Sequence, residues 1–204
     1  LTSSLTCVTG NPATSNTLSI PVKSVPESAG IITGSSEVCS RSQGISYSVS
    51  PVTGADTYTW SLTPGATIVS GDHTPAIMVN FDTNAISGNI RVFGSNQCGD
   101  GAASPGFPVT VNPVPPKPQV TIQWPILQSS SVGGNQWYYQ GTVIPEATGQ
   151  TYQVIYPGWY WTVVTQSGCS SDSSNHVYVE ETDPSKLVPG IMVYPIPNDG
   201  HFTV

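Results

Sequence analysis

Turn-forming residues interrupt this chain about every eight to twelve residues, a spacing typical of all-β folds. Examples are Pro64-Gly65, Gly133-Gly134 and Pro157-Gly158. The short segments between such turns are rich in Val, Ile, Thr, Tyr and Trp, and apolar residues alternate with polar ones along them. Long runs of helix-forming residues with a 3.6-residue period are missing. The pattern predicts an all-β chain built from antiparallel sandwiches.

Composition excludes several kinds of partner. Only 8% of the 204 residues are charged, and five Lys plus Arg stand against twelve Asp plus Glu. A basic surface that binds phosphate backbones is therefore not expected. No apolar run approaches the ~20 residues that cross a bilayer. We expect no nucleic-acid partner and no membrane span.

Three segments share a strand, a cysteine, a small polar turn and a closing strand: 5–20, 96–111 and 167–179. Each is expected to be the last hairpin of one sandwich module. This predicts the end of a truncated module at 1–23, complete modules at 24–112 and 113–180, a charged linker at 181–191 and a final segment at 192–204. The Pro-rich stretch 112–118 is expected to be a semi-rigid joint between the complete modules.

Residues 24–112 contain four stretches that resemble the PKD-like domains of bacterial cell-surface proteins: 47–51, 54–60, 65–71 and 90–99. The resemblance implies a β-sandwich. Alternation along two of its strands places one set of apolar side chains between the sheets. This set comprises Tyr58, Trp60, Leu62, Ile77, Val79 and Phe81.

Residues 113–180 are similar to small immunoglobulin-like domains through stretches 134–138 and 144–152. The resemblance implies that Trp137 is the buried tryptophan of the third strand. It also implies that Tyr160 is a corner tyrosine, whose hydroxyl ties a loop. The usual early cysteine of such domains is absent. Because Cys39 and Cys98 fall within one module, we predict a disulfide between them, with Cys7 and Cys169 as thiols.

The final segment resembles the opening of the C-terminal sorting domain that directs proteins through the type IX secretion system of certain Gram-negative bacteria. The matching positions are Tyr194, Pro195, Pro197, Asn198, Gly200 and Phe202. Ile196 replaces the usual Asn, and Asn198-Asp199-Gly200 is also an ordinary hairpin turn. The resemblance implies the type IX secretion machinery as a partner, and a secreted or outer-surface location that permits a disulfide.

No residue pattern predicts catalysis. The histidines at 73, 176 and 201 stand in separate segments beside turns, without metal-binding spacing. The aspartates at 56, 72, 82 and 100 adjoin turns, where Asp caps its own backbone. We favour a plain solvated linker at Glu180, Glu181 and Asp183. The alternative is that these three residues bind calcium. We expect no catalytic residue, no metal and no cofactor.

One surface remains after this search. If Tyr160 faces the core, alternation turns Trp159 and Trp161 outward, and Tyr138 also points outward beside the inward Trp137. Exposed apolar patches mark contact sites. We rank contact with protein, either other modules of the same chain or neighbouring copies, ahead of glycan.

Two functions follow from these expectations. The first is a non-catalytic, adhesion-type stalk of a large secreted or cell-surface protein, exported through the sorting signal. The alternative is a set of carbohydrate-binding accessory modules from a secreted polysaccharide-degrading enzyme.

Overall fold

A computed structural model describes residues 23–180, and within this range it contains strands and turns but no helix. No helix in the described range is long and apolar enough to cross a membrane. Residues 1–22, predicted to belong to a truncated module, and the segments 181–191 and 192–204 lie outside the described residues. This includes Cys7 and every position of the sorting motif.

Nine strands form the first sandwich, which we call module 1. They are β1 (Thr33–Gly34), β2 (Glu37–Cys39), β3 (Ile45–Ser48), β4 (Thr57–Ser61), β5 (Ala66–Ser70), β6 (Ala76–Phe81), β7 (Gly88–Asn96), β8 (Gly99–Asp100) and β9 (Phe107–Asn112). One sheet has the order β1-β3-β6-β5. The other has the order β2-β9-β7-β4, with β8 paired to β7. All pairs are antiparallel except β2 with β9, which is parallel.

Eight strands form the second sandwich, module 2. They are β10 (Val120–Gln123), β11 (Ile126–Ser129), β12 (Asn135–Tyr139), β13 (Thr142–Val143), β14 (Thr151–Gln153), β15 (Gly158–Gln166), β16 (Cys169–Ser170) and β17 (Val177–Val179). One sheet has the order β10-β11-β14, and the other has the order β13-β12-β15-β16 with β17 paired to β15. The all-β, tandem-sandwich prediction is therefore correct.

Each module has its own hydrophobic core, and the two buried clusters share no residue. In module 1 the six side chains predicted to face inward are buried, except that Leu62 is only partly buried. In module 2, Trp137 is fully buried. The Tyr160 hydroxyl donates to the carbonyl oxygen of Tyr156 at 2.8 Å. Tyr160 is thus the corner tyrosine that the sequence predicts.

A buried serine supports the same strand position in both modules. In module 1 the backbone N–H of Val92 donates to Ser104 Oγ, and the N–H of Ser104 donates back to the Val92 carbonyl. In module 2, Thr162 and Ser174 make the same two bonds. The repeat seen in the cysteine hairpins therefore extends to the segments that follow them.

Candidate functional site at the module joint and on an aromatic surface

A disulfide joins the two modules. Cys39 at the end of β2 is bonded to Cys169 at the start of β16, with an S–S distance of 2.04 Å and a Cα–Cα distance of 5.7 Å. The prediction of a disulfide between Cys39 and Cys98 is wrong, and so is the prediction of a thiol at Cys169. Cys98 is exposed and has no disulfide partner among residues 23–180.

The strand arrangement explains this error. β2 runs parallel to β9, so Cys39 lies beside Asn112, where the chain leaves module 1. β9 is antiparallel to β7, which places Cys39 near the start of β7. Cys98 follows the far end of β7 and contacts the Lys23 carbonyl oxygen at 3.3 Å. A strand of this length spans about 30 Å, far beyond the reach of a disulfide.

The hairpin between β15 and β16 presents Cys169 to module 1. Ser167 and Gly168 form its turn with φ values of 48° and 76°. Positive φ at both central residues is the geometry of a type I′ turn, whose twist matches that of paired strands. The Ser167 carbonyl oxygen accepts a hydrogen bond from the Asn112 side-chain amide at 3.2 Å. The hairpin tip therefore contacts the end of module 1 directly.

An ion pair crosses the same joint. The two terminal nitrogens of Arg41 donate to the two carboxylate oxygens of Asp172 at 3.1 and 3.2 Å. These bonds, and then the attraction between the charges, lower the pKa of Asp172 and raise that of Arg41. Both side chains are exposed, so the pair contributes little alone but fixes direction through its two parallel bonds. Sequence reasoning missed this pair, because nothing local connects residues so far apart.

The connecting segment is bonded to module 1. The backbone N–H of Val114 donates to Ser40 Oγ at 3.0 Å, and the N–H of Ser40 donates to the Asn112 carbonyl at 2.8 Å. Pro115 and Pro118 are buried. These contacts agree with the prediction of a joint rather than a random coil. The joint surrounds a shallow depression of about 270 Å³ that includes Arg41 and Asp172.

A second feature lies on the outer face of the module 2 sheet. We call it the aromatic surface, and it comprises Tyr138, Trp159, Trp161, His176 and Tyr178. Cross-strand pairing sets Tyr138 beside Trp161 and Trp159 beside Tyr178. The three predicted residues, Tyr138, Trp159 and Trp161, therefore come together. His176 and Tyr178 were missed as members, although their alternation at the start of β17 was a signal.

The rings of the aromatic surface differ in what covers them. Trp161 is stacked between Tyr138 and His176, at centroid distances of 5.6 and 4.4 Å and interplanar angles of 2° and 14°. Trp159 contacts one described ring, Tyr178, at 5.0 Å and a tilt of 59°. Trp159 is 46% exposed. One face of Trp159 is thus uncovered by any described aromatic ring.

The aspartates beside turns and His176 make contacts within the fold. Asp82 accepts the N–H of Asn84, Asp72 accepts that of His73, and Asp100 accepts the Ser95 hydroxyl. Asp56 lies 3.9 Å from Lys23. Between residues 23 and 180, no group of three or more His, Cys, Asp or Glu side chains is arranged to hold a metal. His176, expected to be a solvated loop residue, is exposed but packs on Trp161.

Comparison with known proteins identifies part of the chain. Residues 25–109 match the family profile described as the PKD-like domain. This segment is PKD-like. The match covers module 1 and leaves module 2 without a family assignment. A search of curated protein sequences finds no significant match.

Several solved structures are similar to this chain. One is a structure of the fibronectin(III)-like modules of Clostridium thermocellum CbhA, at 14% identity and a TM-score of 0.37, covering 74% of this chain and 94% of that one. Another is the I67–I69 fragment from the titin I-band, at 12% identity and a TM-score of 0.33, covering 75% and 65%. Chicken CNTN1 domains FN1–FN3 match at 13% identity and a TM-score of 0.33, covering 76% and 66%. These values describe general similarity of β-modules only.

Proposed function

We propose that this chain is a non-catalytic stalk region of a larger secreted or cell-surface protein. Its PKD-like and immunoglobulin-like modules hold another part of that protein at a set distance and direction. The observation that carries this proposal is the disulfide between Cys39 and Cys169. A spacer needs a fixed angle between its modules, and a covalent bond across the joint supplies one.

The reason lies in what the disulfide constrains. Each module has a separate core, so neither sandwich needs the inter-module bond to bury its apolar residues. The disulfide instead restricts the motion of one module relative to the other. Without it, the connecting segment, the Asn112–Ser167 hydrogen bond and the Arg41–Asp172 pair would set the angle. These contacts are non-covalent, and the exposed ion pair is weakened by solvent and salt, so they restrict the joint less than a covalent bond does.

Small-angle X-ray scattering tests the spacer role. We expect the oxidised chain to show one narrow distribution of inter-module distances. The double variant Cys39→Ser/Cys169→Ser should keep the circular dichroism of folded sandwiches but give a broader distribution. Cys98→Ser is the matched control, because Cys98 lies outside the joint, and it should scatter like the wild type. Identical curves for the wild type and the double variant would contradict the proposal.

Export through the type IX secretion system is the second part of the proposal. It is supported by the motif from Tyr194 to Phe202 and by the disulfide, since such bonds persist outside the cytoplasm. The protein would then stand at the outer surface of a Gram-negative bacterium or be released from it.

A reporter fusion tests export. A reporter that carries the protein's native C-terminal region should reach the medium or the surface of a host with this system. Scrambling residues 194–202 should keep the reporter inside the cell. Export that survives the scramble would refute the sorting role while leaving the spacer role intact.

A further inference from the structure

The aromatic surface lies away from the joint. Trp159 is near the start of β15, whereas the joint hairpin begins after Gln166 at its end. Seven residues of extended strand separate them by roughly 23 Å. The contact between the modules therefore does not cover Trp159.

The size of the surface favours a small ligand over a protein. A stable protein interface buries about 800 Å² on each partner. Trp159 and Tyr178 are each about half exposed, and an aromatic side chain offers ~150–250 Å² in total, so the two rings present roughly 200 Å². Tyr138 and Trp161 are partly buried, and His176 is exposed but adds only a small imidazole ring. This area fits one or a few sugar rings.

The chemistry of the surface is neutral and amphipathic. Gln140, Gly141, Trp159, Trp161 and His176 line a shallow depression of about 340 Å³, and none of them carries a permanent charge. The amide of Gln140 and the imidazole of His176 offer hydrogen bonds beside an open indole face. A pyranose with equatorial hydroxyls has the complementary pattern, because its faces present C–H groups and its rim presents hydroxyls.

We propose that the aromatic surface binds a neutral glycan whose pyranose rings carry equatorial hydroxyls, as those of glucans and xylans do. A pyranose ring lies on the open face of Trp159, and Gln140 and His176 bond to its hydroxyls. Trp161 has both faces occupied by Tyr138 and His176, so it forms the wall of the site and does not stack on the sugar. The site does not depend on the spacer role.

Isothermal titration calorimetry of the 204-residue chain tests this, with cellohexaose and xylohexaose as neutral probes and a galacturonic acid hexamer as the charged one. We expect at least one neutral probe to bind and the charged one not to bind, because the depression has no cation to pair with a carboxylate. Trp159→Ala should weaken binding about tenfold or more, as truncation of a central aromatic anchor does. Gln140→Ala, at an exposed turn, should weaken it less.

Tyr156→Ala is the matched control, since Tyr156 is an exposed aromatic side chain of the same module outside the depression. It should bind like the wild type. Thermal unfolding of each variant checks that the fold is retained. Failure of both neutral probes to bind would overturn the proposal, as would unchanged binding by Trp159→Ala. Self-association of the wild type that Trp159→Ala abolishes would assign the surface to protein contact instead.

Discussion

At the scale of single residues, Ser174 has a larger role than its type suggests. It is 2% exposed, and its hydroxyl accepts the buried N–H of Thr162 at 3.0 Å while donating to the Asn175 carbonyl at 2.8 Å. Small polar residues are the commonest type in this chain, so composition gives no hint of this position. What distinguishes Ser174 is a contact with a strand twelve residues earlier.

Replacing this serine tests its role. Ser174→Ala leaves the N–H of Thr162 buried without an acceptor, and a loss of this kind costs about 1–3 kcal/mol. We expect urea unfolding, followed by tryptophan fluorescence, to show that loss in module 2. Ser170→Ala, at an exposed position of the neighbouring strand, should change stability by less than about 0.5 kcal/mol. Equal midpoints for the two variants would show that the bond contributes nothing.

Residues whose placement depends on strand period were predictable from the sequence. The resemblance to immunoglobulin-like domains implies that Trp137 and Tyr160 face inward. A period of two is local, so the outward position of Trp159 then follows from alternation along one strand. The stacking of His176 on Trp161 depends on which strands are neighbours and in what register, and that information is not local in the sequence.

At the scale of elements, the pair of β2 and β9 determines the joint. Hairpins with a cysteine were predictable, because turn residues and a strand period mark them. The parallel pairing that carries Cys39 to the exit of module 1 was not, since it joins segments about 70 residues apart in sequence. The number of cysteines in each module was the one signal in the sequence for a disulfide between modules. A lone cysteine in module 2 must remain a thiol or pair outside its module.

The ion pair across the joint predicts a response to acid. Arg41 lowers the pKa of Asp172, so the contribution of this pair is present above the ordinary pKa of Asp, about 3.9, and is lost as pH falls through the lowered value. In the Cys39→Ser/Cys169→Ser variant, we expect scattering at the acid end of a titration that runs well below the ordinary pKa of Asp to show a wider range of inter-module distances than at pH 7. Adding Asp172→Asn should give the wider range at the acid end and at pH 7 alike.

High salt is a second way to weaken the same pair, because exposed charges are screened. Scattering of the double variant at pH 7 should shift towards its acid form when ionic strength is raised. A joint that responds to neither acid nor salt would show that the pair does not help to set the angle.

At the scale of the whole molecule, we propose separate roles for the joint and for the aromatic surface. The joint would fix the direction of one module relative to the other, and the aromatic surface lies away from it on module 2. A stalk with such a surface would hold its upstream partner at a distance from the cell and contact glycan along its side. The spacer role requires the modules to keep one arrangement, which depends on the inter-module disulfide, whereas the glycan site lies within module 2 alone.

Peptide mapping without reduction tests that disulfide most directly. Trypsin and an endoproteinase that cleaves after Glu separate the four cysteines into fragments 1–23, 38–41, 92–146 and 147–180. We expect fragment 38–41 to be joined to 147–180 and reduction to release both. Fragment 38–41 joined to 92–146, or recovered with an alkylated Cys39, would contradict a covalent joint between the modules.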